Sequence, residues 1–328
     1  MRTLGAVQSQ DYAGAKWALA QRLGEATAAD LDREFNAGKI LRTHVLRPTW
    51  HFVTPEDIRW LLELTGARVS RQMAGYNRLQ ELDEAVFARS NAALAGALRG
   101  GIHLTRKELA GVLQDAGIAT PHLRLTFLVM RAELEAVICS GPRRGKQFTY
   151  ALLEERAPTA RTLTREQALA ELVRRYFSSH GPAQPRDFAW WSGLTIADGR
   201  AGLEMAGGDL VREVIGGKAH WPAPGSKPAP GAVGPVVRLL PNYDEYTVGY
   251  RDHEAIHDPR RVPINSILAN VVVVDGQVRG TWRRAVAGGE VVVEVSLPDP
   301  LQPAEQEALE RAAARYGRFL EMPVRLLS

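Results

Sequence analysis

The apolar positions between residues 83 and 137 repeat with the period of a helix and predict three consecutive helices. Asp83 is placed to cap the first helix, which we expect to run to about Arg99. Thr105 opens a Thr-x-x-Glu capping box before a second helix with an apolar stripe, and Gly117 ends that helix. Pro121 suits a first helical position, so we expect the third helix to start there.

A basic hairpin is predicted directly after these helices. Two strand-like runs, residues 138–140 and 147–152, flank the turn Gly-Pro-Arg-Arg-Gly-Lys. Three helices followed by such a hairpin are typical of a winged-helix unit, in which a recognition helix enters a DNA groove and the wing contacts the backbone. The pattern recurs twice. Further along the chain, helices at 164–177, 185–191 and 196–205 precede a strand-like segment at 210–221. Near the start of the chain, a helix at 28–37 precedes a hairpin at 40–53.

The character of the chain changes after a stretch rich in proline and glycine at residues 222–235. Beyond it, strand-like segments alternate with hairpin turns at 275–276 and 288–289. The predicted strands are 236–240, 245–250, 267–274, 276–284 and 290–295, and a helix over 303–320 closes the chain. These segments predict a small β-barrel or strongly bent sheet with a terminal helix.

The predicted fold class is therefore α+β, with three tandem winged-helix units around a C-terminal β-barrel-like domain. We expect domain bounds of 1–80, 81–158, 159–235 and 236–328. The first unit lacks a predicted opening helix, and Met1 lies close to its start. This favours a truncated first unit, with a natural start upstream of Met1.

Composition narrows the class of protein. The chain has 328 residues, of which 45% are hydrophobic and 24% charged, an ordinary globular mixture that argues against a disordered chain. Cys139 is the single cysteine, so an intrachain disulfide and a cysteine-based zinc site are excluded, and its apolar neighbours indicate a buried thiol. The sequence shows neither a secretory signal core nor an apolar run long enough to span a bilayer. We therefore expect a cytoplasmic protein that is nucleoid-associated when bound to DNA.

Positive charge is concentrated in segments that contain no acid. The net charge is only +4, but residues 35–55, 64–80, 136–153 and 276–289 each carry three Lys or Arg residues and no Asp or Glu. Such segments favour one DNA-binding face built from several modules, while chance clustering on solvated surfaces remains the alternative. The side chains predicted to contact DNA are Arg42, His44, Arg47, Arg143, Arg144, Lys146, Arg283 and Arg284.

Three other motifs favour structural roles. The string His253-Glu254-Ala255-Ile256-His257 matches the H-E-x-x-H zinc motif, but it follows a strand-like segment and precedes a proline, so we expect a polar loop. Trp190-Trp191 is more typical of a core than of a base-stacking platform. Asp244 and Glu245 are adjacent on a predicted strand and would face opposite sides, which favours bracing a loop over acting as one dyad.

Several segments in order along the chain resemble one family. These are 5–12, which contains Gln8-Ser9-Gln10-Asp11-Tyr12, then 47–51 (Arg-Pro-Thr-Trp-His), 180–194, 239–246 and 275–282. The chain resembles the AlkZ/YcaQ-like family of winged-helix DNA glycosylases from about residue 4 to residue 327. The family's architecture is three winged-helix units gathered around a C-terminal β-barrel, in agreement with the pattern above.

The resemblance implies a function and a site. Members of the family remove alkylated bases and can unhook interstrand crosslinks, and their catalytic motif is Gln-x-Gln in one branch and Gln-x-Asp in the other. Gln8 and Gln10 match the Gln-x-Gln branch, and His51 matches the histidine of an Arg-[Gly/Pro]-Thr-x-His pattern. Supporting or lesion-site roles fall to Asp11, Tyr12, Trp50 and His51, with Asp11 as an alternative base that a strand would turn away from Gln10.

The implied enzyme is a monofunctional glycosylase for alkylated purines of the N7-alkylguanine type. We expect it to bind double-stranded DNA as a monomer, with no cofactor, no metal and no membrane association. Two other classes remain open at this point. One is a non-catalytic winged-helix DNA-binding protein or transcriptional regulator, and the other is a protein-interaction scaffold.

Overall fold

The computed structural model describes residues 1–223, 225, 234–260, 262 and 268–327. The chain divides into two compact units. Unit 1 comprises residues 1–7 and 33–222, and unit 2 comprises residues 8–32 and 223–328. Among the described residues, no helix is both long enough and apolar enough to cross a bilayer.

The chain passes from unit 1 to unit 2 within the short strand β1 (Val7–Gln8) and back within helix α2 (Ala28–Asn36). The helices of unit 1 are α3 (Ile58–Leu79), α4 (Glu84–Leu98), α5 (Arg106–Asp115), α6 (Arg124–Leu134), α7 (Leu153–Arg156), α8 (Arg165–His180), α9 (Pro185–Ser192) and α10 (Ile196–Ala206). Its strands are β2 (Leu41–His44), β3 (Trp50–Val53), β4 (Leu104–Thr105), β5 (Ile138–Ser140), β6 (Thr149–Leu152), β7 (Glu213–Ile215) and β8 (Lys218–His220).

The predicted helix starts in the middle of unit 1 are confirmed, with one shift. The side chain of Asp83 accepts from the Val86 amide at 2.8 Å, and Thr105 forms the complete capping box with Glu108. Helix α6 begins at Arg124 rather than at Pro121. The reason is local, because His122 has a φ of +47° and a left-handed residue interrupts a helix.

The hairpins β2–β3 and β5–β6 are antiparallel, as the sequence predicts, and β4 adds a third strand beside β6. Apolar side chains of α4, α5, α6 and the β5–β6 hairpin form one core, which is centred on Leu94, Leu109 and Leu128. Cys139 is fully buried in β5, as predicted, and burial raises the pKa of its thiol to about 12. The four predicted domain bounds, and the winged-helix assignment of these elements, stay predictions.

A second aromatic core lies further along unit 1. Tyr176 and Phe177 of α8 pack against Phe188 and Trp191 of α9, with ring centroids 5.1 to 6.4 Å apart. Trp191 is fully buried, whereas Trp190 is 50% exposed. The prediction of a paired tryptophan core is thus confirmed for one of the two rings.

Unit 2 contains a five-stranded sheet with helices packed on it. The strands are β9 (Val237–Leu240), β10 (Val271–Val274), β11 (Gln277–Ala287), β12 (Glu290–Ser296) and β13 (Val324–Leu327), in the order β13-β12-β11-β10-β9. All pairs are antiparallel except β12–β13. No pairing among the described residues joins β13 to β9, so the barrel-like form stays a prediction.

Helices α1 (Tyr12–Leu23) and α12 (Pro303–Leu320) meet at the core of unit 2. The Trp17 ring lies 5.0 Å from the rings of both Tyr316 and Phe319. Its indole N–H donates to the Leu239 carbonyl at 2.7 Å, and that of Trp282 donates to the Leu240 carbonyl at 2.8 Å. Both buried tryptophans therefore satisfy their polar edge on strand β9.

Some expectations for unit 2 are wrong. Residues 245–250 were expected to form a strand, but Glu245–Val248 is a one-turn helix, α11, because Asp244 accepts from the Tyr246 amide and caps it. Helix α1 and strand β13 were not predicted. Residue 267 of the predicted strand 267–274 lies outside the described residues. Residues 224 and 226–233 of the predicted linker also lie outside them.

Candidate active site

Gln8 stands at the entrance to unit 2, where β1 leads into the first turn of α1. Its backbone N–H donates to Oε1 of Glu245 at 2.9 Å. Glu245 is only 2% exposed and Gln8 is 8% exposed. A hydrogen bond to an ionised carboxylate is stronger than one between neutral groups, so this contact fixes the backbone at the first motif residue.

Gln10 is exposed, in contrast to the buried Gln8 and Ser9. The two glutamines of the motif therefore differ in accessibility to solvent. Gln10 directly precedes Asp11, which caps α1, so the motif ends at a helix N-terminus. Backbone N–H groups and the helix dipole make the start of a helix electrostatically positive.

Asp11 is a helix cap, and the expectation that a strand turns it away from Gln10 is wrong. Its Oδ1 accepts from the amides of Ala13 and Gly14, each at 3.1 Å. Its Oδ2 lies 3.4 Å from Nη2 of Arg284 on β11. The Asp11 carboxylate thus caps α1 and pairs with Arg284. Both contacts are structural, although the sequence suggested this carboxylate as an alternative base.

The first turn of α1 approaches the loop after β9 very closely. A Cβ atom on Gly14 would lie 2.9 Å from Oδ1 of Asn242 and 2.9 Å from Oδ2 of Asp11. Real Cβ contacts are longer, so a larger residue at this position would have to displace the side-chain ends of Asn242 and Asp11. The backbone N–H of Asn242 donates to Oδ1 of Asn270 at 2.8 Å, and this bond holds the loop to the start of β10.

Asp244 secures the same loop to the other end of α1. Its fully buried carboxylate receives two hydrogen bonds from Arg22, at 2.9 and 2.6 Å. Burial alone lowers the pKa of Arg22, but the charge of Asp244 and its hydrogen bonds outweigh this and raise it. The prediction that Asp244 and Glu245 brace a loop is consistent with these contacts, although they do so from a helix cap and a first turn instead of a strand.

Tyr12 points along α1 toward Asp32. Its hydroxyl donates to Oδ1 of Asp32 at 2.7 Å, and Lys16 binds Oδ2 of the same carboxylate at 2.7 Å. The ammonium group of Lys16 also lies 5.2 Å from the centre of the Tyr12 ring. Tyr12 is therefore held in a polar cluster on one side of the motif.

Trp50 and His51 lie on β3 in unit 1. This strand pairs with β2, which carries Arg42 and His44, two of the residues predicted to contact DNA. His51 is fully buried, and its Nδ1 lies 3.0 Å from the Thr49 carbonyl. His44 is also buried and contacts the buried carboxylate of Glu133 through Nδ1. In this arrangement the His44 imidazole is shielded from solvent, because it packs 4.4 Å from the Trp50 ring.

The cations at the hairpin ends have mixed surroundings. Arg47 donates to the carbonyls of Trp190 and Trp191 at the end of α9, where a cation is favoured by the helix dipole. The Leu46 carbonyl beside it would lie 2.2 Å from a Cβ on Gly193, whose φ is +71°. Arg47 therefore holds the β2–β3 turn against α9.

At the tip of the β5–β6 hairpin, Arg144 pairs with Glu108 at 2.7 Å, while Lys146 is exposed. Arg143 donates to the Lys146 carbonyl at 3.0 Å, which shapes the turn. In unit 2, Arg283 is largely exposed and pairs with Glu294 across the β11–β12 ladder at 2.7 Å. An exposed pair of this kind is weak, because solvent and salt screen the attraction.

The H-E-x-x-H string lies in a loop, as predicted. His253 binds the Thr247 carbonyl through Nε2 at 2.8 Å, and His257 binds the Val262 carbonyl through Nε2 at 2.7 Å. Across the described part of the chain, His, Cys, Asp and Glu side chains form no group of three or more suited to a metal ion.

The structure thus brings Gln8 to Glu245 and Asp11 to Arg284 in unit 2, and Arg42 to Trp50 in unit 1. Sequence reasoning missed the contact of Glu245 with Gln8, which a separation of 237 positions conceals. The signal that was available is the pair of acids in the otherwise uncharged 239–248 segment, because a buried charge needs a partner.

Comparison with known proteins places the chain in a family. A family model described as "DNA glycosylase AlkZ-like" matches residues 1–319. The "Interstrand DNA cross-link repair glycosylase" of Streptomyces sahachiroi is 25% identical over 342 residues, which cover 98% of this chain and 91% of that protein. The solved structure of Streptomyces sahachiroi DNA glycosylase AlkZ is similar with a TM-score of 0.76 at 21% identity, over 99% of this chain and 92% of that one, and shows the same mixed α+β fold. The chain therefore belongs to the AlkZ-like DNA glycosylase family.

Proposed function

We propose that this DNA glycosylase hydrolyses the N-glycosidic bond of N7-alkylated purines in duplex DNA, with Gln8 and Gln10 positioning the attacking water. We extend the proposal to the unhooking of interstrand crosslinks, the activity for which the Streptomyces sahachiroi relative is named. The observation that carries the proposal is the hydrogen bond from the backbone N–H of Gln8 to the buried carboxylate of Glu245. This bond fixes the backbone of the Gln-x-Gln segment just before the N-terminus of α1, and both partners belong to unit 2.

The chemistry suits neutral amides. An N7-alkylated guanine is positively charged and leaves readily, so the enzyme needs mainly to place a water at C1′ and to stabilise an oxocarbenium-like transition state. A glutamine side chain offers one acceptor and two donors in a fixed geometry, which orients a water without deprotonating it. Unmodified purines are poor leaving groups and would need stronger acid catalysis, so a neutral pair also favours damaged bases.

Glu245 acts in this proposal as a positioning residue. Its Oε1 holds the backbone of Gln8, and Asp244 beside it anchors the loop to Arg22. These contacts reduce the freedom of the Gln8 side chain before substrate binds. Preorganisation of this kind contributes to rate because a small misplacement of a catalytic group is costly.

We also propose three winged-helix units, which are formed by the segments α2–β3, α4–β6 and α8–β8. The sheet of unit 2 forms the barrel-like domain in this proposal. The order of helices and hairpins supports this. Exposed cations, among them Lys146 and Arg283, would bind phosphates of double-stranded DNA, which gives affinity without sequence preference. On this account the enzyme works as a monomer and without a metal.

A defined duplex tests the activity. We expect the wild-type protein to release the base from a duplex that contains a single N7-methylguanine, which leaves an abasic site that alkali cleaves. A duplex with an N7-guanine interstrand crosslink should separate into strands in the same way. The alternative is a non-catalytic DNA-binding protein, which would bind both duplexes in a salt-dependent manner and leave the glycosidic bonds intact.

A further inference from the structure

A cavity of about 400 Å³ opens in unit 2 beside the C-terminal end of α1. Residues 24–27 of the turn after α1 line it, together with Arg315 and Arg318 of α12. The buried rings of Trp17 and Phe319 complete the lining. Because α1 has 12 residues, its C-terminal end lies about 18 Å from the Gln-x-Gln segment that precedes the helix.

Arg315 binds the end of α1 with only part of its guanidinium group. Its Nη2 donates to the carbonyls of Ala20, Gln21 and Gly24 at 3.3, 3.0 and 3.1 Å. The last carbonyls of a helix have no partner within the helix, so a cation is favoured there. For Nε and Nη1 of Arg315, the described residues supply no acceptor, and both nitrogens are open to solvent.

Positive charge is in excess around this cavity. Arg318 lies one turn after Arg315 on α12, Arg238 lies on β9, and both are exposed. Burial lowers the pKa of Arg315, and the charges of Arg238 and Arg318 lower it further. No carboxylate in the described part of the chain pairs with any of these three arginines. Glu25, which is exposed, is the single acid among the described residues that line the cavity.

The turn after α1 adds backbone donors to the cavity wall. Gly24 has a φ of +86°, so the chain leaves the helix direction at this residue. Within the described ranges, the backbone N–H groups of Gly24, Glu25 and Ala26 have no acceptor. Successive N–H groups in a turn are suited to bind an anion. The turn and the arginines therefore offer the same kind of group, a donor without an acceptor.

The shape of the cavity distinguishes the possible anions. Its volume lies within the range of cavities that hold small molecules. A guanidinium group binds a phosphate through two parallel N–H groups, and such charge-assisted bonds are strong. Contacts to the backbone of duplex DNA serve instead to position a protein along the duplex, and they come from groups spread over a surface. Donors that converge on one cavity favour a compact ligand.

We propose that this cavity, which we name the α1-end cavity after its position, binds the phosphate group of a small molecule. The guanidinium groups of Arg315 and Arg318 hold the phosphate oxygens, and the charge of Arg238 adds to the attraction. The bound phosphate compensates the like charges of the three arginines. The inference goes beyond the proposed function, because neither Gln8 nor Gln10 takes part in it.

Isothermal titration calorimetry of the full chain with inorganic pyrophosphate tests the proposal. We expect the wild type to bind pyrophosphate. Arg318→Ala should weaken this binding at least about fivefold, because it removes a charge-assisted hydrogen bond. Arg238→Ala should weaken it less, since that residue contributes charge alone. Arg311→Ala is the matched control, because Arg311 is an exposed arginine of α12 outside the cavity lining, and it should bind as the wild type does.

Binding of an undamaged duplex, measured by fluorescence anisotropy, separates the two sources of phosphate. Arg318→Ala should bind the duplex as tightly as the wild type. A wild type that does not bind pyrophosphate would overturn the proposal, as would binding that Arg318→Ala leaves unchanged or that Arg311→Ala weakens equally. Loss of duplex affinity in Arg318→Ala would assign the cavity to DNA and also overturn it.

Base release from N7-methylguanine is measured on the same preparations. The α1-end cavity is separate from the motif, so Arg318→Ala should release base at the wild-type rate. An active enzyme that does not bind pyrophosphate contradicts the α1-end cavity alone. A protein that binds pyrophosphate in the expected manner and releases no base contradicts the proposed function alone.

Discussion

The backbone amide of Gln8 donates a hydrogen bond of 2.9 Å to the carboxylate of Glu245, although 237 positions separate the two residues. Both residues are buried. The contact joins the start of α1 to the loop between β9 and α11, and the pairing of Arg22 with Asp244 joins them a second time. The two acids that were expected to brace a loop therefore also hold the motif segment in place.

Glu245→Ala should lower both stability and base release. It leaves the buried Gln8 N–H without an acceptor, which costs about 1–3 kcal/mol of unfolding free energy. Glu245→Gln keeps an acceptor oxygen, so we expect it to recover most of the stability and of the single-turnover rate. Chemical denaturation and single-turnover base release measure the two effects. A Glu245→Ala protein with wild-type rate would contradict a positioning role.

Asp11→Asn distinguishes a helix cap from a general base. Asparagine caps a helix about as well as aspartate, so the variant should fold normally and release base at close to the wild-type rate. Asp11→Ala removes the cap and should cost about 1 kcal/mol of stability. Thermal denaturation and the base-release assay report both quantities. A well-folded Asp11→Asn protein without activity would instead assign the carboxylate to catalysis.

Asp57 should make unit 1 sensitive to acid. Burial alone raises the pKa of this carboxyl, but hydrogen bonds from Arg175, Thr54, Trp60 and Arg161 outweigh it and hold the pKa far below its ordinary value. A lowered folded-state pKa contributes stability above the unfolded-state pKa of about 4, and that contribution is lost as the pH falls further. Unfolding free energies measured between pH 7 and pH 2.5 should show this loss.

Asp57→Asn weakens the same network and should cost about 1–3 kcal/mol at neutral pH, because it removes the buried carboxylate that accepts from Arg175 and Arg161, while Arg175 keeps its pairing with Glu171. The variant should also lose much of the acid dependence between pH 4 and 2.5. Asp115→Asn is the control, since Asp115 is exposed near the end of α5. Equal pH profiles for the wild type and Asp57→Asn would show that the network is not the origin of the acid sensitivity.

Cys139 should be inert in the folded protein. Its thiol is fully buried in β5 and its pKa is raised to about 12, so very little thiolate forms at neutral pH. We expect iodoacetamide to label the native protein only at the rate of unfolding, and to label it at once in denaturant. Mass spectrometry of timed samples measures this. Rapid labelling of the native protein would mean that β5 opens readily.

The parts of the fold that follow from the sequence are those with local signals. Helix α12 begins at Pro303 and ends at Leu320, as predicted, because a proline suits the first turn and an apolar stripe continues through it. The helix after Asp83 and the capping box at Thr105 are equally local. Helix α1 was missed because residues 14–20 are buried all round, which removes the amphipathic period on which such a prediction depends.

The candidate site was only partly predictable for a related reason. The Gln-x-Gln pattern identifies Gln8 and Gln10 through resemblance, and no local rule connects them to Glu245 or to the Gly14–Asn242 approach. Tertiary contacts also changed the roles expected for charged residues. His44 was expected at DNA and lies buried beside Glu133, and Arg47 is bound to carbonyls at the end of α9.

The most direct measurement is base release from a duplex with a single N7-methylguanine by four proteins. These are the wild type, Gln8→Ala, Gln10→Ala and, as a control, Gln114→Ala, since Gln114 is an exposed glutamine on α5. We expect each motif variant to lower the single-turnover rate by about 10²-fold, the effect of removing one preorganised polar group, while binding to undamaged duplex is unchanged. The control should match the wild type. Wild-type rates in both folded motif variants would contradict the assignment of the glutamines as the catalytic pair.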